Sequence, residues 1–163
     1  MNTIHPTAII YDGVTLGSHV TIGAYCIIGA PPEHRNTYPN KGKGVLIGDN
    51  VTITGHVTID SGIEFETRIY NDVFIMKGVH IGHDAVIGEG VTISPHVCIG
   101  GHAKLGEKAN MGMGSIVHQR CNVAQGCMVG MGAVITKRTE TKPYCVYVGS
   151  PARYLRENKW HNV

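Results

Sequence analysis

From Ile75 onward an aliphatic residue returns every six positions: Ile75, Ile81, Ile87, Ile93, Ile99, Leu105, Met111, Val117, Val123, Val129 and Ile135. Four residues after each stands a small or β-branched partner, in the series Val79, Ala85, Val91, Val97, Ala103, Ala109, Ser115, Cys121, Cys127, Ala133. The same spacing runs from Ile4 through Ile10, Leu16, Ile22 and Ile28, and again through Ile47, Ile53 and Ile59, after which a four-residue step to Ile63 resets the phase. Six is too long for the stripe of an amphipathic helix and too long for one alternating strand. It suits a short flat strand followed by a corner. Such units cannot bury an apolar face alone and must stack, each covered aliphatic side chain contributing about 1.5–3 kcal/mol. The expectation is an all-β solenoid with aliphatic and small side chains inside and Gly, Asp, Asn or His at the corners.

Six-residue units of this kind resemble the hexapeptide-repeat proteins, and that resemblance implies a left-handed parallel β-helix with eighteen residues per coil, an exception to the usual crossover handedness. The expected division is a β-helix domain over residues 1–150 and a C-terminal tail over 151–163. In the tail the period is lost, and "ARYLRENKW" is expected to remain a short tail or to form a helix closing the last coil. The run "PPEHRNTYPNKGKG" at 31–44 breaks the period with Pro, Gly and charge, so it is a loop thrown out of the coil, either a tolerated insertion or a flap over a site.

With 163 residues, 42% of them hydrophobic and 16% charged, the chain can build one core. A net charge of +2 without a basic run supports neither a nucleic-acid partner nor a membrane surface. No segment approaches the ~18 apolar residues of a membrane span, and "MNTIHPTAII" lacks a signal-peptide pattern, so a cytoplasmic protein is expected. Five cysteines without C-x-x-C spacing indicate neither a disulfide framework nor a zinc knuckle. Cys26, Cys121 and Cys127 take the small inward position and read as packing, while Cys98 and Cys145 have no convincing base nearby.

An eighteen-residue coil turns sequence into geometry, because residues eighteen apart stack at about 4.8 Å. His83 then lies over Gly101 and Gln119, and Asp84 over His102 and Arg120. "HIGHD" (80–84), "GGH" (100–102) and "VHQR" (117–120) converge on one edge of the prism. The histidines His19, His56 and His96 fall at other corners and read as turn caps. An imidazole with a carboxylate beside it can accept a proton at physiological pH, and a glycine leaves a backbone N–H uncovered for a developing oxyanion. Base, orienter and oxyanion donor describe acyl transfer. With no nucleophilic thiol indicated, direct attack on the donor is expected rather than an acyl-enzyme.

The stretches "IHPTAIIYDGVTLGSHVTIGAYCIIG", "MKGVHIGHDAVIG", "GGHAKLGE" and "SIVHQRCNVAQGCMVGMGAVI" resemble the UDP-N-acetylglucosamine O-acyltransferases of lipid A synthesis. That resemblance implies His83 as general base assisted by Asp84, Gly101 as oxyanion donor, His80 and His102 on the sugar, and His118 with Gln119 lining the site. It also implies a homotrimer, a nucleotide-sugar acceptor and a thioester donor on acyl carrier protein or coenzyme A, with no tightly bound cofactor and no metal. Two departures stand out. Ala24 occupies the place of a nucleotide-binding Gln, and the family's helical domain has no counterpart in these residues. The ending "KPYCVYVGSPARYL" resembles instead the coenzyme A-dependent hexapeptide acetyltransferases. Lys137, Arg138 and Arg153 gather where the phosphates of a pantetheine-bearing donor could lie. An acetyl-CoA-dependent sugar acetyltransferase is the nearest alternative. A γ-type carbonic anhydrase would need two histidines five apart, which are not found here, and a purely structural β-helix would leave the one-edge clustering unexplained.

Overall fold

The computed structural model describes residues 1–159. It contains twenty-two short strands, and no helix occurs among the described residues. The strands form three sheets of nine, seven and six, parallel but for the last strand of the nine, the faces of a left-handed prism of about eight turns. Registers follow the repeat: Phe74 pairs with Thr92, Thr92 with Asn110, and Asn110 with Met128, each eighteen residues on. The inward aliphatic residues from Ile75 to Ile135 are buried, as are their small partners. Ile4 of the first coil is 44% exposed, since no described coil covers it.

The corners explain the rest of the composition. Most corners place a residue in the left-handed region, and non-glycine residues there include His19, His56, Asp84, His96, His102 and Arg120, with φ between 52° and 61°. Asn, Asp and His tolerate this region better than β-branched residues do, which is why histidines recur at corners irrespective of chemistry.

Two coils are longer than eighteen residues. Thr21 pairs with Thr52 and Thr58 with His80, so extra chain leaves the prism at 31–44 and near 61–66. Both excursions depart where the second face, with strands Ile27–Ala30 and Thr58–Asp60, hands over to the third, with Val45–Ile47 and Thr67–Ile69. "HIGHD" turns the same corner, between His80–Ile81 and Val86–Ile87. The phase reset near Ile63 is a protrusion and not a shortened repeat. Ile63 is only half-buried, and the next core residue after Ile59 is Ile69.

The tail differs from the helical option. After a turn at 149–152, Arg153–Glu157 returns as a strand antiparallel to Cys145–Val148. A helix there would leave the N–H and C=O groups of the last strand's edge unpaired, whereas the hairpin satisfies and covers them. Residues 160–163, the end of the expected tail, lie outside the described residues.

Candidate active site

Asp84 organises the edge. Its corner conformation turns the side chain inward, where it is fully buried. The protruding segment folds over it and donates three backbone N–H groups to the carboxylate, from Ile63 at 3.0 Å, Glu64 at 2.8 Å and Phe65 at 2.9 Å. Its own N–H donates to Thr67 Oγ1 at 2.9 Å. Burial works to raise the Asp84 pKa, but the Phe65 N–H, the His83 contact and the Ile63 and Glu64 N–H groups together hold it below the ordinary carboxylate value. An ionised carboxylate only accepts hydrogen bonds. His83 Nδ1, 2.7 Å from Asp84 Oδ2, must therefore carry the proton, leaving the Nε2 lone pair free to act as a base.

That lone pair sits over Gly101. A Cβ added there would come within 2.8 Å of both Cε1 and Nε2 of His83. The Gly101 N–H has no acceptor among the described residues, while its carbonyl accepts from Arg120 N–H at 2.9 Å. Gly82 and Gly100 permit the close stacking of this edge, since a Cβ at either would meet the backbone N of Gly101 at 2.9 Å or of Gln119 at 2.5 Å.

His102 stands edge-on to His83, the ring centroids 5.2 Å apart, with Nε2 3.6 Å from Asp84 Oδ2 and 3.9 Å from Glu64 Oε1. His80 shares a hydrogen bond through Nδ1 with Thr58 Oγ1 at 2.8 Å, and its Nε2 faces Asp60 Oδ2 at 3.9 Å. His118 and Gln119 are exposed two coils from His83, with His118 Nδ1 3.0 Å from the Gln119 carbonyl. Further along, Arg138 and Arg153 line one cavity of about 630 Å³ with Lys142, Tyr147 and Tyr154. Lys137 lines a neighbouring cavity of about 430 Å³ with Arg120. Thus His83, Asp84, Gly101 and His102 are brought into contact and His80 lies beside them, whereas Lys137 and Arg138 lie further along the same edge and Arg153, on the terminal strand of the first face, meets them only through the cavity it shares with Arg138.

Several participants were not singled out from sequence: Thr58, Asp60, Thr67, the 63–65 backbone, and His34 of the 31–44 loop, whose ring lies 6.1 Å from that of His83. The usable signal was the phase slip after Ile59, which leaves the prism at the histidine edge. Cys98, thought remote from any base, is the direct register partner of His80 on the next coil.

His83, Asp84 and His102 also place three donor atoms within 4.8 Å of one another. The geometry serves an imidazole better than an ion. Asp84 already accepts three backbone N–H groups and pairs with His83 Nδ1, and coordination through that nitrogen would require breaking a 2.7 Å hydrogen bond.

Comparison with known proteins places this geometry in context. Residues 66–101 match the model of the bacterial transferase hexapeptide (six repeats). A stretch of 29 residues is 62% identical to the acyl-[acyl-carrier-protein]–UDP-N-acetylglucosamine O-acyltransferase of Rickettsia canadensis. That match covers 18% of this chain and 11% of the relative. Over nearly the whole chain the fold matches UDP-N-acetylglucosamine acyltransferase from Campylobacter jejuni, with 28% identity and a TM-score of 0.77, covering 96% of this chain and 75% of that one. The Francisella novicida UDP-N-acetylglucosamine acyltransferase matches with 26% identity and a TM-score of 0.81, covering 98% and 70%.

Two outcomes follow from the geometry. Gly101→Ala is expected to fold normally, because φ at this glycine is not left-handed and the new methyl meets only the His83 ring. The imidazole resonances of His83 should shift by NMR; unchanged resonances would contradict the assigned contact. Asp84 contributes stability above its unfolded pKa, ordinarily 3.8, and that contribution is lost as pH falls through its lower folded value. Asp84→Asn should therefore flatten the acid limb of the unfolding profile below about pH 4.

Proposed function

We propose that this hexapeptide-repeat chain, a relative of the UDP-N-acetylglucosamine acyltransferases, moves an acyl group from a thioester to a hydroxyl or amine of a nucleotide-linked sugar resembling UDP-N-acetylglucosamine. The observation that carries the reading is the His83–Asp84 pair with Nε2 free above Gly101. In the proposed reaction His83 Nε2 takes the acceptor's proton as its O or N attacks the thioester carbon. Asp84 stabilises the imidazolium, and the Gly101 N–H meets the oxyanion. Collapse breaks the C–S bond, and His83 returns the proton to the leaving sulfur.

His80, His102, His118 and Gln119 would hold the acceptor. Lys137, Arg138 and Arg153 would meet the phosphates of an acyl carrier protein's pantetheine arm or of coenzyme A. Lys137 lies three coils beyond His83, about 14 Å along the edge at the inter-strand spacing. No step requires a resident cofactor or metal. No helix among the described residues is long and apolar enough to cross a membrane, which accords with action in the cytoplasm.

We propose that the working form is a homotrimer. The outward column of the second face runs Ile9, Ile27, Thr58, His80, Cys98, Ile116 and Val134, apolar towards both ends, and Met113 and Met131 on the adjoining corner are 53% and 77% exposed. Such a patch supports coverage by a second copy. Light scattering should give about three times 17.5 kDa, and a monomer would refute the assembly.

His83→Ala is expected to lower thioester-dependent transfer about 10²–10⁴-fold with the fold retained, and Asp84→Asn to cost less. The assay is mass spectrometry of UDP-N-acetylglucosamine and related amino-sugar nucleotides incubated with acyl carrier protein and coenzyme A thioesters. Near-normal turnover by His83→Ala would overturn the assignment of the base.

A further inference from the structure

The edge holds two buried carboxylates of opposite character. Asp84 accepts three N–H groups besides its His83 contact and has no capacity left for a ligand. Asp60, the last residue of the strand Thr58–Asp60, is also buried, its side chain 8% exposed. Its protein partners are sparse: the 31–44 loop approaches it at Glu33, and His80 Nε2 lies at 3.9 Å, beyond hydrogen-bonding distance. His80 cannot swing to Asp60 freely, since its other nitrogen is held by Thr58 Oγ1. Among the described residues no lysine or arginine pairs with Asp60. Burial, reinforced by the nearby Glu33, pushes the Asp60 carboxyl above the ordinary range against the opposing influence of His80 and His83.

A carboxylate offers about four acceptor sites, so Asp60 retains unused capacity beside the imidazoles of the reacting centre. The chemistry of the surroundings selects the donor. His80 faces Asp60, His83 faces Asp84, and His102 faces both Asp84 and Glu64. The guanidinium of Arg120 turns to Glu64 at 3.9 Å. The pocket is rich in carboxylates, and the cation that reaches it, Arg120, is turned to Glu64 and not to Asp60, so the Asp60 side favours a ligand group that is positively charged or carries several N–H donors.

We infer that the acceptor is an amino sugar and that Asp60 is the residue that recognises its amine. This rests on the acyl-transfer reading above. The amine arrives as an ammonium, whose three N–H donors fit the open side of Asp60. It gives one proton to solvent, and the free amine attacks the thioester carbon. The C–N bond forms, the C–S bond breaks, and the remaining proton passes through His83 Nε2 to the departing sulfur. The products are an amide, a thiol and one released proton.

The test uses the full chain with matched ligands, UDP-N-acetylglucosamine and its analogues carrying an amine in place of the 3- or 4-hydroxyl. Calorimetric binding and acyl transfer are read separately. The wild type should bind an amine analogue about 10-fold or more tightly than the hydroxyl compound, and Asp60→Asn should abolish that preference by weakening the amine analogue more than the hydroxyl compound. Asp60→Asn removes a buried charge without changing side-chain shape, and a cooperative melting transition at or above the wild-type temperature at neutral pH confirms folding. Acyl transfer to the hydroxyl compound with no amine preference overturns this inference and leaves the acyltransferase reading standing. Amine-selective, Asp60-dependent binding without acyl transfer does the reverse. Equal binding of both ligands, equal losses for both in Asp60→Asn, or binding of neither would also sink the role given to Asp60.

Discussion

In-register stacking at one strand spacing is the constraint from which the rest of this molecule follows. Every coil must place its aliphatic residues under those of the next, as Ile75 lies under Ile93, because a half-covered coil leaves its apolar face in water. Chain that does not fit the eighteen-residue circuit cannot be absorbed into a face without moving every later side chain out of register. It has to be expelled at a corner. In this protein both expulsions, at 31–44 and near 61–66, occur at the corner that carries His83. The regular wall supplies the imidazoles, and the irregular chain supplies what makes their chemistry specific.

The 61–66 protrusion shows this most directly. A corner aspartate at φ 59° on a regular coil would face water and hold its histidine loosely. Three consecutive amides folded over Asp84 form a concave anion site, of the kind that fixes charge by backbone dipoles. They keep the carboxylate ionised despite complete burial, and so fix the tautomer of His83. The 31–44 loop acts on the neighbouring carboxylate in the opposite sense, approaching the buried Asp60 at Glu33 without folding a set of amides over it. One excursion satisfies its charge and the other leaves a charge hungry for a donor.

The prism, its coil length and the single histidine edge were legible in the sequence because each depends on a period, and a period survives translation into coordinates. His83 over Gly101 and Asp84 over His102 are register statements of that kind. What could not be read has no period. Ile63, Glu64 and Phe65 act through backbone amides, to which side-chain identity is indifferent, so Ile63 looked like a repeat residue while its N–H served Asp84. Asp60 ends a strand in a slot where the next two coils put Gly82 and Gly100, and a loop from about thirty residues earlier comes back to it. The tail's strand was hidden for another reason. Local propensity in "ARYLRE" allows a helix, and the open edge of the Cys145–Val148 strand decides otherwise.

Charge along the edge then acquires a direction. Carboxylates Asp60, Glu64 and Asp84 cluster around the three imidazoles, with Arg120 turned to Glu64, whereas Lys137, Arg138, Lys142 and Arg153 lie on the coils and terminal strand beyond. In the proposed reaction the acceptor end is negative and the donor end positive. Two substrates that both carry phosphate are thereby sorted by their other groups. A thioester donor is drawn by its phosphates to the cations and reaches back along the edge with an uncharged arm. An amine-bearing acceptor is the one ligand that gains by entering the carboxylate cluster. The separation of about three coils, roughly 14 Å, exceeds the Debye length of about 8 Å at physiological ionic strength. Each end can therefore select its own substrate without cancelling the field of the other.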